Sequence, residues 1–365
     1  MKCRRTIPII CLLTIFLTLT TAGASAAESG IVIQEIYSDI ESCDITVASS
    51  ITIEDLTLEV QLLQKGRAID KATIPIDRIE TNSNIIKFVQ WHTTSTPDGA
   101  YQIDAQIFNE KEEICSTEYE FIHGRQIIPD VIFEGIISNS EGVSAVIKPT
   151  DTSLADIEYM LVEGNDIIYF TKDEKISIHT NPLTVNKRWN TLLANNKKYT
   201  GRVKVRISDP GSIIVATDTF TSMDDAEITD IYKDEIGASA TIAGNSQVPF
   251  DGYVRFTVYN ENSDEIMESA IMRSPILLTE DDETVETIWK KRLTEGRYKL
   301  AIEIIGNDGD ILDIQETMID VEKVTVFSND IPEGTNDGNS TPSFLITTAL
   351  AAISAGAIVL RRKHF

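Results

Sequence analysis

The chain has 365 residues, of which 42% are hydrophobic and 24% charged, with a formal net charge of −25. That hydrophobic share excludes a disordered chain, and so acidic a surface excludes nucleic acid and anionic lipid headgroups as partners. The first five and last five residues hold six lysines and arginines and no acid, so the stretch between them carries about −31.

Met1 to Arg5 form a basic start, and Ile7 to Leu19 an apolar run broken by Pro8 and threonines. Ala22-Gly23-Ala24-Ser25-Ala26 then supplies small residues in an A-x-A pattern. Residues 1–26 therefore read as a secretory signal peptide cleaved after Ala26, with an uncleaved membrane helix as the other reading.

A unit of about 100 residues follows three times. The chain's three tryptophans, Trp91, Trp189 and Trp289, fall one per unit, 98 and 100 residues apart. Each precedes a tyrosine (Tyr101, Tyr199 or Tyr298) by 10, 10 and 9 residues. After each tyrosine comes a partly alternating run, such as Tyr101-Gln-Ile-Asp-Ala-Gln-Ile-Phe108. A polar turn and a second run then begin at Ile114, Ile213 or Ile311. Strand, turn and strand make a β-hairpin. Short β-branched runs open the units, for example Ile31-Val32-Ile33, Asp44-Ile45-Thr46-Val47 and Val143-Ser144-Ala145-Val146-Ile147.

The order Leu293-Thr-Glu-Gly296-Arg-Tyr298-Lys-Leu300 resembles the tyrosine corner of immunoglobulin-like and fibronectin-type sandwiches. The resemblance implies an all-β fold of three tandem immunoglobulin-like β-sandwich domains, at 27–123, 124–224 and 225–327. In each, the tryptophan and tyrosine would fill the space between two sheets. The other reading of these rings is a carbohydrate-stacking platform. Cys43 and Cys115 both fall in the first unit. They are a candidate disulfide clipping an early strand to the last one, or else two free buried thiols. The junctions near His123-Gly124-Arg125 and Met223-Asp224-Asp225 are short, so the domains are expected to form a semi-rigid rod.

Residues 328–342 are a polar linker, containing the N-glycosylation sequon Asn339-Ser340-Thr341. Ser343 to Leu360 are apolar or small throughout, long enough for one transmembrane helix. Arg361-Arg362-Lys363, in the 361–365 tail, set the C-terminus in the cytoplasm and the ectodomain outside the cell membrane. Pro342-Ser343-Phe344, an apolar span and a basic end resemble the PGF-type sorting segment of archaeal cell-surface proteins. In that family the middle residue is glycine, and an archaeosortase is thought to exchange the tail for a lipid.

No H-E-x-x-H, C-x-x-C, nucleophile elbow, Walker loop or dinucleotide fingerprint occurs, so neither catalytic residues nor a cofactor site are expected. Met223-Asp224-Asp225, Glu280-Asp281-Asp282-Glu283 and Asn307-Asp308-Gly309-Asp310 could offer oxygens to Ca²⁺, although none has EF-hand spacing. The sequence thus predicts a non-enzymatic surface stalk for structure or adhesion, contacting an S-layer protein or a surface glycan. The alternative is an extracellular glycan- or calcium-binding module that assists a partner enzyme.

Overall fold

The structure, a computed structural model, describes residues 30–93, 96–124, 130–208, 211–261, 263 and 265–322. The expected signal peptide, linker, membrane segment and basic tail lie outside the described residues, as do Asn339 and Pro342-Ser343-Phe344. Among the described residues the regular elements are all strands, and no helix is long and apolar enough to cross a membrane.

Seven strands form a first body: β1 (Ile31–Ser38), β2 (Ser42–Ser49), β3 (Ile53–Gln64), β4 (Arg67–Ile79), β5 (Ser83–Gln90), β6 (Gly99–Asn109) and β7 (Glu112–His123). A second holds β8 (Val131–Ser138), β9 (Gly142–Pro149), β10 (Ser153–Glu163), β11 (Asp166–Ile178), β12 (Leu183–Arg188), β13 (Lys198–Ile207) and β14 (Ile213–Thr221). The third holds β15 (Ala226–Lys233), β16 (Gly237–Gly244), β17 (Tyr253–Asn260), β18 (Ile266–Arg273), β19 (Asp282–Ile288), β20 (Gly296–Ile305) and β21 (Ile311–Val321).

Alternation makes these strands two-faced. On β6, Tyr101, Ile103, Ala105 and Ile107 are buried in the core, while Gln102, Asp104 and Gln106 turn the other way. Each body is accordingly a pair of antiparallel sheets closed on its own hydrophobic core. Strands β1-β2-β5 cover β4-β3-β6-β7, β12-β9-β8 covers β11-β10-β13-β14, and β15-β16-β19 covers β18-β17-β20-β21; β5 and β11 pair at Lys87 and Asp166, so that β1-β2-β5-β11-β10-β13-β14 run as one seven-stranded sheet through the first two bodies.

The same fittings recur in all three. The first strand carries a bulge, between Ile33 and Glu35, Phe133 and Gly135, or Ile228 and Asp230. In β1 that extra residue turns Ile36 to the core instead of Glu35. The turn after it is built on an acceptor side chain. Oδ1 of Asp39, Asn139 or Asp234 takes the N–H groups two and three residues on, at 2.7–3.0 Å. The second strand then begins at Gly142 in the second body and Gly237 in the third. A Cβ at either would stand 2.3 Å from the carbonyl oxygen of Lys187 or Thr287 on the neighbouring strand.

One edge of the third body is guarded. Among the described residues strand β18 pairs only with β17, and Val258, Phe256 and Val254 face Glu268, Ala270 and Met272 across that pair. Val254, Phe256 and Val258 are core residues, so Glu268 is a charge turned toward the apolar side of an edge strand. Its carboxylate reaches Lys290 at 3.7 Å.

Candidate functional site: the cleft between the first two bodies

At the first junction the outer faces of two strands pack together. Strand β2 turns Cys43 and Ile45 into the first core, which leaves Ser42 and Asp44 on the outer face. Strand β13 turns Val203 and Val205 into the second core, which leaves Arg202, Lys204 and Arg206 outside. These two outer faces meet. Arg202 donates from Nη1 to Ser42 Oγ at 2.6 Å and from Nη2 to Asp44 Oδ2 at 2.7 Å. Lys204 Nζ donates to Asp44 Oδ1 at 2.7 Å.

Arg202 is 0% exposed, and Lys204 and Asp44 are 2% exposed each. Charges so far from water persist only when paired, because desolvation costs several kcal/mol per ion. The apolar share of the contact comes from Tyr37, Phe88, Met160 and Val162, which are buried yet belong to none of the three cores. The Arg202 guanidinium lies 5.3 Å from the Phe88 ring centre, and Lys204 Nζ 5.1 Å from that of Tyr37. Burial, with Asp39 next in weight, pushes the Tyr37 hydroxyl well above the usual phenol range, so it remains a neutral donor.

Strand edges close one side of this interface. Phe88 donates its N–H to Asn165 O at 2.8 Å, and Asn165 Nδ2 returns a bond to Phe88 O at 2.8 Å. Lys87 pairs with Asp166 beside them. Next to this seam the bodies leave a cleft of about 660 Å³. Asp44, Lys204, Glu158 and Met160 line it from the interface. Asp77 lines it from β4, Ile86 from β5 and Phe170 from β11.

The second junction is made by loops. The segment between β16 and β17 inserts Val248, 2% exposed, into the core of the second body. Gln247 donates its N–H to Ser140 O and accepts from Leu193 N–H, both at 3.0 Å. Asn195 and Asn196 donate to Asp308 at 3.1 and 2.7 Å.

The residues singled out in the sequence sit as follows. Trp91, Trp189 and Trp289 are buried in the three cores, as are Tyr101, Tyr199 and Tyr298. Each indole N–H donates into the turn after the first strand: to Ser38 Oγ at 3.1 Å, Asn139 O at 2.9 Å and Asp234 O at 3.2 Å. Tyr101 and Tyr298 donate to the carbonyls of Pro97 and Thr294, at 2.7 and 3.0 Å. Tyr199 instead accepts the N–H of Ala194 at 3.1 Å.

Where a disulfide was one expectation, Cys43 and Cys115 are free thiols, both buried. They sit on opposing sheets of one core and pack as small hydrophobes. Asp224 is buried and accepts the Asn307 N–H at 2.8 Å. Glu280 pairs with Arg188, and Asp281 accepts the Leu278 N–H at 3.0 Å. Among the described residues, no three histidine, cysteine or acidic side chains converge as they would around a metal ion.

Reading the sequence missed the Asp44–Arg202–Lys204 cluster. Its one signal is Arg202-Val-Lys204-Val-Arg206, three cations on one face of one strand in a strongly acidic chain.

No protein-family model matches this chain. No curated protein matches it in sequence. Among solved structures, it is similar to a four-repeat segment from the extending region of a large adhesion protein. That likeness has a TM-score of 0.24 at 10% identity, over 80% of this chain and 73% of the other. A second is dimeric latent PorU from Porphyromonas gingivalis, with a TM-score of 0.22 at 11% identity, over 80% of this chain and 34% of the other. At these scores neither likeness bears on what this chain does.

Proposed function

We propose that this chain is a non-enzymatic cell-surface protein. Its three immunoglobulin-like sandwiches form the ectodomain of a structural or adhesive stalk, tethered by residues 343–360. The carrying observation is how the bodies are joined. The first pair is locked by a buried ion cluster, and the second by Val248, which the third body's chain inserts into the core of the second. Joints of this kind fix successive domains in one geometry, which suits a spacer or scaffold that must hold its end at a set place. The acidic surface keeps such an ectodomain soluble and away from anionic lipid.

Residues 1–26 would direct export, and the tail would be cytoplasmic until any processing. An S-layer protein or a surface glycan is the expected contact. The glycan-platform reading of the repeated aromatics loses support, because all six rings lie inside cores.

Protease shaving of intact cells tests the location. Peptides from residues 30–322 should be released without lysis, and their release only after lysis would overturn the proposal. Mass spectrometry of the mature C-terminus then separates a retained helix from lipid exchange.

A further inference from the structure

We propose that Lys204 and Asp44 condense into an amide, a covalent link between the first two bodies that the chain makes by itself. Lys204 Nζ stands 2.7 Å from Asp44 Oδ1, and both side chains are shut off from water. An amine held against a carboxyl in this way reacts as though at a concentration of about 10⁵ M or more. Glu158, itself buried, lies with Oε2 at 3.6 Å from the same Nζ and can carry protons. Arg202 Nη2 donates to the other oxygen, Asp44 Oδ2, at 2.7 Å.

Glu158 takes one proton from the Lys204 ammonium and hands it to Asp44 Oδ1, which leaves a neutral amine against a neutral acid. The Nζ lone pair then bonds to Cγ. The C=O electron pair moves onto Oδ2, where the Arg202 guanidinium holds the negative charge. Glu158 carries a second proton from the nitrogen to Oδ1. The Cγ–Oδ1 bond breaks, water leaves, and the pair on Oδ2 restores the C=O. One ammonium and one carboxylate become one amide and one water, and Glu158 ends as it began.

Burial drives the step forward, because two charges kept from water are replaced by a neutral group. What remains is still matched, with Glu35 and Glu158 set against Arg202 and Arg206. The cleft of about 660 Å³ is lined by Asp44, Glu158 and Lys204, so the released water has a way out. Lys187 and Asp173 are the internal contrast. They lie 2.9 Å apart but are 28% and 36% exposed, so water keeps both charged. The link ties residues 160 apart and makes the first joint permanent, whatever the chain does at the cell surface.

Mass spectrometry of the full-length chain, digested after denaturation, tests this. A branched peptide joining the Asp44 and Lys204 segments, lighter than their sum by one water, is expected. No branch should join Lys187 to Asp173. Lys204→Arg keeps the charge and should abolish the branch. Glu158→Gln keeps both reacting groups and should slow branching about 100-fold or more, read as a time course on freshly synthesised protein. Circular dichroism shows which variants fold, and the wild-type digest decides the matter even where one does not. Unbranched segments in folded wild-type protein, an equal yield of branch at Lys187, or undiminished branching in folded Glu158→Gln overturns the proposal. The link is lost equally from every variant lacking Asp44 or Lys204, so differences between such variants still report the charges. None of these results touches the surface location, read by shaving.

Discussion

Arg202 of the second body donates to Asp44 of the first at 2.7 Å, with both side chains removed from bulk water. Lys204 shares the same carboxylate, so one acid holds two buried cations. Asp44→Ala is expected to cost about 3–5 kcal/mol, since it strands both. The joint replacement of Asp44, Arg202 and Lys204 by Leu, Met and Leu should cost less, because the two buried cations go together with their shared acid and Glu158 keeps Arg206 at 4.0 Å. Urea denaturation of the three proteins makes the comparison. Equal losses would show that the packing, not the charges, holds the interface.

The three tyrosines differ in what their hydroxyls do, and substitution should separate them. Tyr101→Phe and Tyr298→Phe remove a donor and are expected to cost about 1 kcal/mol each. Tyr199→Phe removes the acceptor of the Ala194 N–H and leaves that donor without its partner. Its cost should be at the upper end of about 1–3 kcal/mol. Melting curves of the single variants read the order.

Val248 belongs to the third body by sequence and to the second by packing. Val248→Ala removes two buried methyls and should cost about 2 kcal/mol. Limited proteolysis locates the damage. New cuts should appear between residues 131 and 221, and cuts confined to β16 and β17 would refute the shared core.

Burial, and then Asp44, push the Cys43 thiol far above its usual range, so it stays protonated and inert. Native protein is expected to resist iodoacetamide. After denaturation without reductant, both Cys43 and Cys115 should be alkylated. A denatured, unreduced chain in which neither labels would mean that they are bonded.

The Asp224 carboxyl is held above its ordinary value of 3.8 by burial, with Asp310 and Asp308 adding to the effect and the Asn307 N–H opposing it. The folded chain therefore binds this proton more tightly than the unfolded chain does. Stability must fall as pH rises from the ordinary value through the raised one. Asp224→Asn keeps an acceptor for Asn307 and removes that slope. Between about pH 4 and pH 7 its melting temperature should lose less than the parent's. Parallel curves would place the shift elsewhere.

The cores were legible because their signal is local. Period-two apolar runs and one tryptophan and one tyrosine per repeat are read directly along the chain, and those residues are buried in each body. The turn acceptors Asp39, Asn139 and Asp234 were equally available, 52, 50 and 55 residues before the tryptophans, but short polar turns have little to distinguish them in one sequence. The interface was not legible. Asp44 and Arg202 occupy positions that alternation assigns to the outside of a strand, and nothing local tells an outer face that meets water from one that meets another sheet.

Glu268 has a consequence beyond the third body. An edge strand such as β18 offers a free row of backbone groups to any like strand, and exposed Ile266, Met267 and Ile271 would make that union sticky. A second β18 laid alongside would trap this carboxylate in a dry seam with only one distant lysine to answer it. Copies crowded together at high local density can therefore jostle without zipping into fibrils.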